Sequence, residues 1–184
     1  MKIVLTKQPL HEIHSQCAIC FLPEDVHPLR GAAGIVDWML NGRLTRFVQH
    51  QGILGKFKES VLIQPGRLLA CDKLLVLGMG PYHECNPEKI LELGGKVRDV
   101  LMGLKAHDVS LSFPMLSAEE PPDTFAEYLT KGFLAGEDDK ELHEYFIAFN
   151  LALSCAFNQT DEILLGIQKV KVELKKHFNA IVME

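Results

Sequence analysis

The residues best suited to chemistry follow a short apolar run, where the sequence reads LLVLGMGPYHECN. Gly78 and Gly80 allow positive φ and expose bare backbone, which is how glycine-rich turns approach phosphates. A dinucleotide fingerprint would place a third glycine three residues after Gly80, and His83 occupies that position. The next helix starts only at Asn86, and Glu84 adds negative charge before it. We therefore expect a structural turn that ends a buried strand, with phosphate binding as the open alternative.

A second group of chemical side chains recurs at every third position: His11, His14, Cys17 and Cys20. Structural zinc sites use these residue types, but as two short ligand pairs separated by a loop. Cys17 and Cys20 flank an apolar, strand-like run, and residues three apart on a strand point to opposite faces. We expect buried thiols and solvent-facing histidines here, and no metal site.

Common enzyme motifs are missing from the sequence. It contains no G-x-S-x-G, no G-x-x-x-x-G-K-[ST] and no H-E-x-x-H, because His143-Glu144 is followed by Tyr145, Phe146 and Ile147. We assign no catalytic residue and no cofactor. The five cysteines are an odd number among apolar neighbours, which favours free thiols in a reducing compartment.

Composition and charge restrict the class of protein. A chain of 184 residues that is 47% hydrophobic is long enough to form one domain over residues 1–184. The net charge of -5 and the scattered lysines and arginines argue against nucleic acid as a partner. No apolar run is long enough to span a membrane, and the N-terminus does not read as a signal peptide. We expect a cytoplasmic protein.

Strand-like and helix-like spacing alternate along the chain. Short apolar runs lie at 3–5, 18–22, 61–63, 74–77, 109–113 and 147–157. Helical spacing is found at 29–40, 87–105, 125–136 and 160–178. The alternation predicts a three-layer α/β domain in which helices flank a parallel or mixed sheet.

The helix starts carry capping signals. Asn86 followed by Pro87 is typical of a first helical turn, and Thr124 with Glu127 forms a capping-box pattern. Thr160 precedes two acids and is expected to cap the last helix, at about 160–178.

The order of phrases from Leu29 to Gly80 resembles the N-terminal domain of the leucine (cytosol) aminopeptidase family. The phrase Arg30-Gly31-Ala32-Ala33-Gly34 opens a helix, and Gly55-Lys56-Phe57-Lys58-Glu59 precedes a strand, a polar hairpin and a strand that ends in G-x-G. The resemblance implies a macro-domain-like fold, with a mixed sheet flanked by helices.

The resemblance also implies which activity to expect. Members of that family carry peptidase activity in a separate C-terminal domain, around an Asn-Thr-Asp-Ala-Glu-Gly-Arg phrase that this sequence lacks. No catalytic residue can therefore be transferred. We expect a stand-alone, non-catalytic relative that acts as a regulatory or protein-interaction module, as a homo-oligomer or as the partner of a metallopeptidase.

Similarity to macro domains implies an alternative, the binding of ADP-ribose or a related nucleotide. The positions that correspond to the ligand-binding loops are Gly31, Gly34, Gly78, Gly80 and His83. The first loop departs from the macro-domain pattern, because alanines stand where glycines are wanted.

Overall fold

The computed structural model describes residues 1–114, 121–136, 140–155, 159–174 and, for the backbone alone, 179–183. Within these residues seven strands form one sheet in the order β3-β4-β2-β5-β6-β1-β7. The strands are β1 (Lys2–Thr6), β2 (Ser15–Pro23), β3 (Ser60–Ile63), β4 (Cys71–Gly80), β5 (Asp108–Ser112), β6 (Asn150–Ser154) and β7 (Asn179–Met183). Strand β3 runs antiparallel to β4, and the other pairs are parallel. The predicted mixed sheet is confirmed.

Helices cover both faces of this sheet. They are α1 (Gly31–Met39), α2 (Arg43–Gln49), α3 (Pro87–Leu104), α4 (Pro122–Leu134), α5 (Lys140–Ile147) and α6 (Thr160–Glu173). Apolar residues of α3, α4, α5 and α6 form one buried cluster with one face of β2, and those of α1 and α2 form another. Cys17 belongs to the first cluster and Cys20 to the second, as expected for residues three apart on a strand.

The cap of α3 is confirmed, and two other cap predictions are wrong. The side chain of Asn86 accepts a hydrogen bond from the N–H of Lys89 at 3.0 Å. Helix α4 instead begins at Pro122, with no side-chain cap, because the fixed φ of proline suits a first helical turn. Gln159 is the residue that precedes α6, and Thr160 is already helical.

The predicted strand at 147–157 is only partly correct. Helix α5 reaches Ile147, and β6 covers Asn150–Ser154. The reason is an aromatic cluster: the rings of Phe146 and Phe149 lie 5.2 and 5.0 Å from that of Phe133 on α4. A helical turn followed by a strand places both rings there, although the alternating sequence pattern indicates a strand throughout.

Helices α2, α5 and strand β7 were not expected from the sequence. Helix α1 ends at Met39, close to the end of the predicted stretch 29–40, and a short break leads into α2, whose first residue follows Gly42. Helix α6 ends at Glu173, and residues 175–178 of the predicted last helix lie outside the described residues.

Candidate functional site

A large cavity lies at the carboxyl edge of the parallel strands. It has a volume of about 450 Å³ and is bounded by the ends of β1, β5 and β6 and by the first turns of α1. Residues that contribute polar or charged groups to its wall are Lys7, His11, Gly31, Ser112, Ser154 and Gln159. Crevices at this edge of parallel sheets are where α/β proteins bind ligands.

Helix α1 begins at the wall of this cavity. Gly31 has a φ of 57°, and the preceding Arg30 makes no side-chain cap. The N–H of Gly34 donates to the carbonyl of Arg30 at 3.1 Å, so regular helix bonding starts there. The N–H groups of the first turn have no acceptor within a helix and carry partial positive charge. With Gly31 and Ala32 in the wall, the cavity is suited to an anionic group.

The described side chains around the cavity supply hydrogen-bonding groups and a protonated thiol. Within the described residues, the buried Nδ1 of His11 has no hydrogen-bond partner. Ser154 Oγ donates to the carbonyl of Gln8 at 2.9 Å. Burial raises the pKa of the Cys155 thiol to about 12, so this thiol stays protonated at neutral pH. The described polar groups of the site can therefore serve as hydrogen-bonding groups for a ligand.

Of the two glycines predicted in the first loop, one lies at the cavity. Gly31 is part of its wall, whereas Gly34 does not line it. A Cβ on Gly34 would lie 2.7 Å from the carbonyl oxygen of Leu29.

Gly78 and Gly80 are the end of β4 and not a turn after it, and the backbone N–H and carbonyl of both are in use. The N–H of Gly78 donates to Glu59 O at 2.7 Å, and its carbonyl accepts from Lys58 N at 3.0 Å. The N–H of Gly80 donates to Gly55 O at 2.8 Å, and its carbonyl accepts from the N–H of residue 24 at 2.9 Å. These two glycines do not line the 450 Å³ cavity, and a ligand-binding role for them stays a prediction.

The segment Gly55–Glu59 packs against Gly78 and Gly80. A Cβ on Gly78 would lie 2.1 Å from Lys56 O, so only glycine permits this approach. The carboxylate of Glu59 holds the segment in place, since its Oε2 accepts from the N–H groups of Leu54 at 2.8 Å and Lys56 at 3.1 Å. The Gly-Lys-x-x-Glu phrase is therefore the packing partner of the G-x-G strand end.

His83 lies on the surface next to an aspartate. Its Nδ1 is 3.3 Å from Asp25 Oδ2, and the other carboxylate oxygen accepts from Tyr82 N at 2.8 Å. Partial burial raises the pKa of Asp25, but the hydrogen bonds from Tyr82 and His83 outweigh it and leave the pKa below its usual value. His83 does not line the large cavity, although Tyr82 contributes to a neighbouring cavity of about 40 Å³ that shares Ala32 with it.

Sequence reasoning missed a patch on the outer face of α1 and α2. The chain's one tryptophan, Trp38, is 78% exposed, and Ile35 is 48% exposed one turn earlier. Asn41, Arg43 and Arg46 are exposed beside them. We call these five residues the α1–α2 patch. A signal was available, because Ile35 and Trp38 fall outside the stripe of residues 29, 33, 36 and 40 that predicts the buried face.

Among the described residues, no group of three or more His, Cys, Asp or Glu side chains could hold a metal ion. No described helix is long and apolar enough to cross a membrane.

The fold is that of a macrodomain. A macrodomain from Oceanobacillus iheyensis superposes with a TM-score of 0.69 at 9% identity, covering 92% of this chain and 92% of that one. A Trypanosoma brucei macrodomain solved in complex with ADP gives a TM-score of 0.66 at 12% identity, covering 90% and 69%. Tomato leucine aminopeptidase gives 0.68 at 15% identity, covering 93% of this chain and 35% of that one.

Sequence comparison then identifies the family. Residues 20–139 match the cytosol aminopeptidase family, N-terminal domain, so the chain belongs to this family. A probable cytosol aminopeptidase from Alkaliphilus oremlandii is 23% identical over 132 residues, which are 72% of this chain. The matched region spans 26% of that relative's length. The predicted relationship to the aminopeptidase N-terminal domain is confirmed.

Proposed function

We propose that this domain has a non-catalytic role and acts by binding protein, either further copies of itself or a metallopeptidase chain. The exposure of Trp38 carries the proposal. Tryptophan is among the residue types most buried on average, and with arginine it is enriched in the centres of protein interfaces. Here Trp38 is 78% exposed next to the apolar Ile35.

Membership of the aminopeptidase family supports a peptidase partner. The Alkaliphilus relative is a probable cytosol aminopeptidase, and this chain corresponds to 26% of its length. A domain related to part of such an enzyme can serve by contacting peptidase chains. All five cysteines are buried, which supports a reducing, cytoplasmic location.

Sedimentation velocity tests the proposal. The chain is run alone at increasing concentration to detect self-association, and then mixed with a cytosol aminopeptidase to detect a complex. Trp38→Glu is expected to abolish the association. Val172→Glu is the matched control, because Val172 is also 78% exposed but lies on α6, on the other side of the sheet. A wild-type chain that stays monomeric and forms no complex overturns the proposal.

A second candidate is the binding of ADP-ribose or a related nucleotide, which the 450 Å³ cavity specifically favours. Helix α1 directs its first turn at this cavity, and Lys7 stands in its wall. The similar Trypanosoma brucei macrodomain was solved in complex with ADP. Calorimetric titration with ADP-ribose tests this candidate: a Kd below about 1 mM supports it, and no heat at that concentration excludes it.

A further inference from the structure

The α1–α2 patch lies in a stretch of the sequence that has more basic than acidic residues. Between residues 26 and 58, lysines and arginines outnumber acids, and Asp37 is the one acidic residue there. The cations are Arg30, Arg43, Arg46, Lys56 and Lys58.

The charge of Asp37 is used inside the structure. Its Oδ1 accepts from the N–H of Thr45 at 3.0 Å, and its Oδ2 accepts from the Thr45 hydroxyl at 2.5 Å. Asp37 thereby caps the first turn of α2 from a neighbouring helix. In the part of the chain that the structure describes, no carboxylate forms an ion pair with Arg43 or Arg46.

Backbone carbonyls hold both guanidinium groups in place. Arg46 Nη1 donates to Asn41 O at 2.8 Å. Arg43 Nη1 donates to Gln64 O at 3.1 Å, and its guanidinium carbon lies 5.6 Å from the centre of the Phe47 ring. A guanidinium has five N–H donors, so most remain open to a carboxylate. Because these side chains are already ordered, binding costs less conformational entropy.

Asn41 links the two parts of the patch through its backbone. The N–H of Asn41 donates to the main-chain carbonyl of Trp38 at 3.0 Å, and the carbonyl of Asn41 accepts from Arg46. Asn41 therefore joins the main chain of Trp38 to the guanidinium of Arg46. Trp38 and Arg46 are both exposed, so both side chains are open to a ligand.

We propose that the α1–α2 patch binds an acidic segment of a protein partner. Carboxylates of the segment pair with Arg43 and Arg46, and an apolar side chain between them packs on Trp38 and Ile35. The inference rests on the proposed protein-binding function and specifies the chemistry of the partner. A long nucleic acid fits less well, because the chain as a whole has a net charge of -5 and repels an extended polyanion.

Trp38 provides the measurement, since it is the one tryptophan of the chain. The probe is the blocked peptide Glu-Glu-Leu-Phe-Asp-Asp, titrated into the full chain while tryptophan emission is recorded. We expect a blue shift with saturation, and a Kd that rises at least about tenfold between about 0.05 M and about 0.5 M NaCl. The matched peptide Gln-Gln-Leu-Phe-Asn-Asn is expected to give no saturable shift.

Variants of the chain locate the contact. Arg43→Ala and Arg46→Ala are each expected to raise the Kd about fivefold or more. Lys140→Ala is the charge-matched control, because Lys140 is 91% exposed on α5 on the other side of the sheet. The Kd of this variant for the acidic peptide is expected to stay within about twofold of the wild-type value.

Three results overturn the inference. One is an equal shift with the amide peptide, and another is an equal shift with a single-stranded oligonucleotide of the same charge. The third is a blue shift that appears with protein concentration alone, which would mean that a second copy covers the patch. This third result leaves the protein-binding function standing, whereas loss of all association in sedimentation removes the function itself.

Discussion

Gly132 on α4 and Leu91 on α3 are in direct backbone contact. A Cβ on Gly132 would lie 1.8 Å from the carbonyl oxygen of Leu91. Across the same interface, a Cβ on Gly94 would lie 2.2 Å from the carbonyl oxygen of Leu129. The two glycines let the helices approach more closely than any larger residue permits.

Gly132→Ala should therefore be strongly destabilising, because the added methyl group forces α3 and α4 apart. We expect a loss of about 2–4 kcal/mol in the free energy of unfolding, measured by urea denaturation. Gly103→Ala is the control, since it lies in α3 with no atom within 4 Å of the added methyl. It should stabilise by about 0.5–1 kcal/mol, and equal effects of the two changes would contradict the packing argument.

The carboxylate of Asp123 should contribute stability that depends on pH. A hydrogen bond from Lys169, at 2.7 Å, lowers its pKa below the usual 3.8. A lowered pKa means that the contribution is complete above pH 3.8 and is lost as pH falls through the folded-state pKa. Asp123→Asn should therefore be less stable than wild type at neutral pH, and the difference should close under strongly acidic conditions.

Urea denaturation at neutral pH and in acid measures this difference. Asp72→Asn is the control, because Asp72 is exposed on β4 and should change stability little at either pH. A difference between wild type and Asp123→Asn that does not shrink in acid would show that the ion pair is not its source.

The contribution of the Asp37 cap to folding stability should be measurable separately from peptide binding to the α1–α2 patch. Asp37→Ala removes both hydrogen bonds to Thr45 and should cost about 1–2 kcal/mol of folding free energy. Asp37→Asn keeps one side-chain oxygen acceptor for the Thr45 N–H, so its loss should be smaller. Thermal unfolding of the two variants checks the order, and a larger loss for the asparagine variant would contradict it.

The thiols should be unreactive until the chain unfolds. Burial raises the pKa of Cys17 to about 11 and those of Cys20 and Cys155 to about 12. A thiol reagent added to the native protein should react slowly, and all five cysteines should react in denaturant. Ser60→Cys, on the exposed start of β3, should react at once and serves as the positive control.

Nucleotide binding in the 450 Å³ cavity should depend on the start of α1. Ala32→Asp places a carboxylate in the wall of the cavity, where it repels a phosphate. We expect the affinity for ADP-ribose to fall at least about tenfold. Leu165→Asp is the control, since Leu165 is 50% exposed on α6. An unchanged affinity of Ala32→Asp would locate the ligand elsewhere.

Local sequence patterns predicted the elements whose burial is regular. The stripe that begins at Ile90, after the Asn86 cap, defines α3, and the strictly alternating run 109–113 defines β5. The α3 stripe records the buried face of that helix, whereas the alternation locates β5 but not its burial, because Ser110 and Ser112 are buried as well. The predicted boundaries of elements are wrong where tertiary contacts determine them. At α5, contact with the ring of Phe133 fixes the position of Phe146.

Sequence analysis predicted only some of the residues that line the candidate site. Gly31 was named and lies in the cavity wall, because a helix start after a strand is recognisable locally. Lys7 and Ser154 come from strands that are adjacent in space and far apart in sequence, so their convergence could not be read from spacing.

The sequence by itself determined the family, the alternation of strands and helices, and the mixed sheet, because local spacing and short phrases encode burial. Tertiary structure alone decided that Gly78 and Gly80 pack against the Gly55–Glu59 segment, that Gly31 opens a cavity, and that Trp38 faces outward. The physical reason is that backbone contacts and exposure depend on which segments far apart in sequence pack together. Local patterns in one sequence carry no information about that packing.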